Sequence, residues 1–204
     1  MTTRRKTAAE LMADLSTDAD YLAQRQAQEE VRQKLLAQRA KEAAPVAAAL
    51  RAAGVEVQSI WDLSDGGKSD SRAIPVLFEQ LKKDYPDHVR EGIVQALATP
   101  YARKRWGELV DIFEHNTANL SPAIRYVAAV ALSGAADDTV LDDVIRLIND
   151  KRLGFDRAPL LLALIGSKSS KAKMTLLELR SDPDLGKEIK KMRRLERHHG
   201  RTAG

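Results

Sequence analysis

The chain has 204 residues, 44% of them hydrophobic and 30% charged, with 33 Lys and Arg against 29 Asp and Glu, a net charge of +4 and no cysteine. Such a balance fits a globular chain able to bury a core, and it excludes collagen-like and low-complexity sequences. The lack of cysteine excludes a disulfide scaffold, a thiol nucleophile and thiolate-bound zinc.

The N-terminus is basic through Arg4, Arg5 and Lys6, but no apolar h-region follows, because Glu10 and Asp14 interrupt residues 8–15. No run approaches the roughly 18 apolar residues of a membrane span. A cytoplasmic protein without a membrane partner is expected. Thr7-Ala8-Ala9-Glu10 fits a capping box at the start of a short helix. From about residue 18 to residue 44 neither Gly nor Pro occurs and good helix formers dominate, which predicts a long polar helix. Thr17 or Asp18 is placed to cap it. Its apolar marks, Leu22, Val31, Leu35 and Leu36, do not sustain a heptad. Pro45 suits the first turn of a separate helix over 46–53, and Gly54 its C-terminal stop.

The run 64–71 (Ser-Asp-Gly-Gly-Lys-Ser-Asp-Ser) is the most loop-like in the chain and is read as a linker. It separates a helical extension, 1–63, from the region 72–198, with a disordered tail at 199–204. Gly66-Gly67-Lys68-Ser69 echoes the end of a phosphate-binding loop. Asp62, however, stands where the first glycine of that loop is required, and no strand precedes it.

Beyond the linker the pattern repeats. Arg90, Arg125 and Arg157 are 35 and 32 residues apart, and each is followed by Ala six positions later (Ala96, Ala131, Ala163) and Leu seven positions later (Leu97, Leu132, Leu164). Amphipathic segments precede each copy, at 74–83, 101–113 and 140–148. Thr99-Pro100 and Ser121-Pro122 place a hydroxyl before a proline, a helix-start signal. Residues 168–179 and 183–197 form a fourth, degraded pair with Asp182-Pro183 as its cap. The unit is a helix–turn–helix of about 33 residues, which cannot hide its apolar face alone and needs neighbours.

The turn, apolar residue and Arg at the start of the second helix, as in Asp87-His88-Val89-Arg90 and Ser121-Pro122-Ala123-Ile124-Arg125, resemble the HEAT-like repeat (armadillo-type α-solenoid) family in a small bacterial form. In the third copy Asp156 replaces the apolar residue and Pro159 enters the first turn, so its fit is looser. The resemblance implies an all-α, right-handed α-solenoid of about four repeats with a helical N-terminal extension. It also implies a concave face of second helices that holds a partner. On that basis Arg90, Arg125 and Arg157 either form an inter-repeat hydrogen-bond ladder or line a basic stripe that reads an anionic ligand.

Other clusters bear on function. Arg103-Lys104-Arg105-Trp106 combines cations with an aromatic ring, a pattern able to hold phosphate and stack a base. Alkylpurine DNA glycosylases with HEAT-like repeats show that the architecture can hold DNA. Residues 187–201 hold seven bases against two acids, among them Lys190, Lys191, Arg193 and Arg194, and the isoelectric point is near 9.3. With the two basic ends set aside, the remainder of the chain is mildly acidic. Asp137, Asp138, Asp142 and Asp143 lack the spacing of a calcium loop and suit a first helical turn. None of His88, His115, His198 and His199 has the partner a helical zinc site needs, so neither metal nor cofactor is expected. No nucleophile–base pair is evident; bilin lyases share the repeat, but their chemistry finds no support here. The expected function is a non-enzymatic scaffold that binds a protein partner through the concave face, with binding or repair of nucleic acid through Arg103, Lys104 and Trp106 as the alternative.

Overall fold

In a computed structural model, described over residues 18–64, 70–118 and 120–199 and at positions 7, 8 and 16, every regular element is helical. Side chains at 123 and 193–199 are outside this description, as are the capping box over 7–10, the Gly-Gly-Lys-Ser run, and residues 200–204 of the tail. No helix among the described residues is long and apolar enough to cross a membrane. By its contacts the chain divides into two units, Met1–Glu42 and Ala43–Gly204.

The first unit carries most of helix α1, Ala19–Ala52. Asp18 caps it, its Oδ1 accepting from the amides of Asp20 and Tyr21 at 3.0 and 3.1 Å. Over 19–42 the side chains are largely exposed, and local pairs support the helix. Arg32 and Gln33 both donate to Glu29 and hold its carboxyl down at about 2.

Two separate helices meeting at Pro45 are not what forms. Helix α1 runs through Pro45 without a break. Proline removes one ladder hydrogen bond, but the residues around it (Ala43, Ala44, Ala47, Ala48, Ala49) are the strongest helix former. Val46, Ala47 and Leu50 are also buried in the second unit's core, which holds this stretch in place. The helix stops where predicted. Gly54 adopts φ +81°, its amide donates to Arg51, and the Val55 amide donates to Leu50. This is a Schellman ending that suits glycine.

Residues 43–63, assigned by sequence to the extension, therefore bring core side chains to the second unit: Val46, Leu50, Val55, Val57 and Ile60. A 3-10 turn, Ile60–Leu63, is closed by a reciprocal Ser59–Asp62 cap. Eight further helices follow: α2 (Ala73–Leu81), α3 (Asp87–Ala96), α4 (Trp106–His115), α5 (Pro122–Ala135), α6 (Leu141–Asn149), α7 (Leu160–Gly166), α8 (Ser170–Glu178) and α9 (Gly186–His199). Within pairs, α2 packs on α3, α4 on α5 and α6 on α7. Between pairs, the second helices pack in series, α3 on α5 and α5 on α7, and α6 packs on α8.

The aligned positions explain this order. Counting from Arg90, Arg125 and Arg157, the residues three, four and seven places on are buried in every copy: Ile93, Val94, Leu97; Ala128, Ala129, Leu132; Leu160, Leu161, Leu164. That is one helical face presented to the core.

Three local expectations differ. Thr99 and Ser121 occupy N-cap positions, but their hydroxyls cap nothing and are buried without a partner. Thr99-Pro100 opens a 3-10 turn, Pro100–Arg105, and the α-helix begins only at Trp106. In the third copy a 3-10 stretch, Lys151–Arg157, with Gly154 at φ +53°, replaces the first turn of the second helix. Pro159, which has no amide to donate, then sits as the N-cap of α7. In the last pair Asp182 does cap as expected, accepting from the amides of Asp184 and Leu185 at 3.0 Å, but α9 starts at Gly186.

Candidate partner-binding face

Long-range polar bonds in the second unit tie each helix pair together and join it to the next. Arg90 donates to the carbonyl of Ala118. Arg103 donates to the Ala135 carbonyl at 2.9 Å and pairs with Asp137. The Trp106 indole donates to Asp143 at 3.0 Å, and Arg146 to Glu114 at 2.6 Å. Ser167 donates to Asp138 and Lys171 pairs with Asp142. These partners are 28 to 37 residues apart, close to the 32- and 35-residue spacing of the arginines.

The arginine at the third position is the most enclosed. Arg157 is 0% exposed. Its Nε donates to the Gly154 carbonyl at 2.8 Å and its Nη1 to the Ile148 carbonyl at 2.7 Å, while Nη2 meets Asp182 and Asp184 at 3.0 Å. Burial pushes the Asp182 carboxyl up; the amides of Leu185 and Asp184, together with Arg157, outweigh that and leave it below the ordinary aspartate value.

The candidate residues of the sequence therefore separate. Arg157 is interior and cannot join a surface stripe. Arg90 is spent on a backbone carbonyl of the next pair, and Arg125 is half-buried with its Nε enclosed and unpaired. The spacing of the three was legible, but a repeat period is the same whether a side chain turns inward or outward.

The basic–aromatic cluster is also consumed internally. Trp106 is 8% exposed and bonded to Asp143, so its ring offers no stacking face. Arg103 is taken up by Ala135 and Asp137, and Arg105 lies 4.1 Å over the Phe78 ring while pairing with Glu108. Lys104 remains exposed. At the C-terminal end Lys190 and Lys191 are exposed, with Lys191 3.7 Å from Glu188, while the side chains of Arg193 and Arg194 lie outside the described residues. Among the described residues no group of three acidic or histidine side chains is placed to hold a metal.

What the second helices do present is apolar. Tyr126 on α5 is 40% exposed, Phe155 before α7 is 48% exposed, and Leu162 on α7 is 54% exposed. The Tyr126 and Phe155 rings stack, with centroids 6.1 Å apart and planes at 16°. Leu162 opens onto a cavity of about 360 Å³ where Ser133 and Ala136 face Gly166 and Ser167. Tyr126 and Leu162 stand one and five places after their arginines, one helical turn apart in the register that faces away from the core. In the first copy those positions hold Glu91 and Gln95. A sequence signal for this strip existed: bulky apolar residues at positions where the period calls for polar ones. A larger cavity of about 530 Å³ lies between α2 and α4, floored by Phe78, Leu81 and Ile112, with Lys82, Lys83, Arg90, Asp84, Glu108 and Asp111 on its walls. Its cations and carboxylates are balanced, so the site favours neither sign of ligand.

No family model, no curated protein sequence and no solved structure matches the chain.

Proposed function

We propose that the second unit is a stack of about four HEAT-like hairpins, a right-handed α-solenoid, and that it works as a non-enzymatic scaffold gripping a protein partner on its second helices. The serial packing of α3, α5 and α7 supports the stack, as do the buried leucines of each copy and the polar bonds to the following pair. The observation that carries the function is the half-exposed strip of Tyr126, Phe155 and Leu162. Aromatic and large aliphatic side chains grouped on one face are the composition of a protein-binding surface rather than of a solvated one. The nucleic-acid alternative has less support, because Trp106 and Arg103 are engaged within the fold.

The test is affinity capture from nuclease-treated lysate with the native chain and with a Leu162→Asp/Tyr126→Ala variant whose circular dichroism is unchanged. A protein partner is expected with the native chain and lost with the variant. A variant that keeps every partner overturns the reading. A salt titration with duplex and single-stranded DNA checks the alternative, since counterion release would show as a steep loss of affinity with salt.

A further inference from the structure

The strip on the second helices is not uniform along its length. At the end where the second helices begin, the stacked rings of Tyr126 and Phe155 have carboxylates as neighbours in sequence and in helical register. Asp156, half-buried, follows Phe155 in the same 3-10 stretch, and the exposed Glu91 holds on α3, which packs on α5, the register that Tyr126 holds there; neither carboxylate has a hydrogen-bond or ion-pair partner among the described residues. Asp87, exposed, lies one turn before Glu91. The cation next to Tyr126 in sequence, Arg125, is half-buried with its Nε enclosed. An exposed aromatic face beside uncompensated carboxylates is complementary to one class of side chain: a flat cation that stacks on a ring and donates hydrogen bonds at its edge.

The chain builds that arrangement for itself elsewhere. The Arg105 guanidinium lies 4.1 Å over the Phe78 ring, and Glu108 accepts from its Nη2 at 2.5 Å. Ring and carboxylate together hold an arginine there. At Tyr126 and Phe155 no arginine among the described residues lies over the rings.

We propose that the Tyr126–Phe155 pair, with Asp156 and Glu91, receives an arginine side chain of the protein partner, while Leu162 takes an apolar residue of the same segment. The occupant is thus a segment of alternating basic and bulky apolar residues. This inference rests on the reading of the face as a partner-binding surface. Lysine in place of arginine loses the planar stack and binds less well. An acidic segment meets repulsion from Asp156 and Glu91.

Two synthetic peptides serve as probes, acetyl-LRALRAL-amide and its glutamate counterpart acetyl-LEALEAL-amide, titrated into the full chain while the ring resonances of Tyr126 and Phe155 are followed by NMR. The arginine peptide is expected to shift both rings and to bind about three- to ten-fold more tightly than the glutamate peptide. Asp156→Asn with Glu91→Gln should abolish that preference, and Tyr126→Leu should reduce arginine-peptide affinity while leaving the helical circular dichroism unchanged. Equal binding of both peptides at the two rings overturns the arginine assignment and leaves the scaffold reading standing. Silence of both rings toward both peptides, in a chain whose Leu162→Asp/Tyr126→Ala variant still loses its captured partner, also overturns the assignment alone. Retention of every partner by that variant overturns the scaffold reading itself.

Discussion

At Gly134 there is no room for a side chain. A Cβ built there falls 2.7–2.9 Å from the backbone of Ala98, which cannot give way as a side chain could. Gly134→Ala is therefore expected to cost about 1–3 kcal/mol in a urea melt. At Gly92 the obstacle is the edge of the Trp61 ring, 2.9–3.2 Å away. A ring can turn, so Gly92→Ala should cost less than Gly134→Ala. The aligned leucines give a second residue-level test. Leu97, Leu132 and Leu164 are all fully buried, and Leu→Ala at each should cost about 2–5 kcal/mol by thermal or chemical denaturation. These leucines were legible in the sequence, because a period of three, four and seven places fixes which face turns inward. Gly134 was not. Nothing in a glycine's place in a helical run announces that a neighbour's backbone will arrive there.

Among the elements, the joint between the third and fourth helix pairs concentrates the most charge in the least water. Arg157 has no exposed surface, and the Asp182 side chain is 5% exposed. Removing one partner of such a pair leaves the other charge stranded, a loss of about 3–5 kcal/mol. Asp182→Ala should fall near the lower end, because Asp184, also 3.0 Å from Arg157, remains as a second acceptor. The pH dependence has a definite sign. The Asp182 carboxyl titrates below its ordinary value in the fold. Its contribution is therefore complete above the ordinary aspartate value of about 3.9 and is lost as pH falls through the lower, folded one. Acid titration followed by circular dichroism should show Asp182→Asn less stable than the native chain at neutral pH, the gap closing toward the acid end. The sequence placed Asp182 as a helix cap and Arg157 as a repeated arginine. It could not join them, because they are 25 residues apart and only packing brings them together. It also placed a helix start at Pro45, because the anchorage that Val46 and Leu50 supply to an unbroken helix comes from packing and not from the local run.

For the second unit as a whole, the proposed stacking makes each helix pair answer chiefly to its neighbours. Leu164→Ala should then speed amide hydrogen exchange in α6 to α9 while α2 and α3 keep their protection, measured under conditions where the chain stays folded. Exchange that rises evenly from α2 to α9 would mean a single cooperative core instead. At this scale the helical class and the order of the pairs were legible from the spacing of Arg90, Arg125 and Arg157. The proposed binding face was not. The eye is drawn to charge, and here most of the conspicuous charge in the body (Arg90, Arg103, Arg157, Asp137, Asp142) goes into fastening one pair to the next.

Asp182 carries an obligation in two directions, to the amides of the turn that leads into α9 and to the Arg157 guanidinium. Trimming the chain from its C-terminal side is thus not a gradual affair. Shortening α9 from its far end leaves that pairing in place. A cut that takes residues 182–184 strips an interior cation of both its counter-ions at once, and the damage passes upstream into a pair that the deletion never touched.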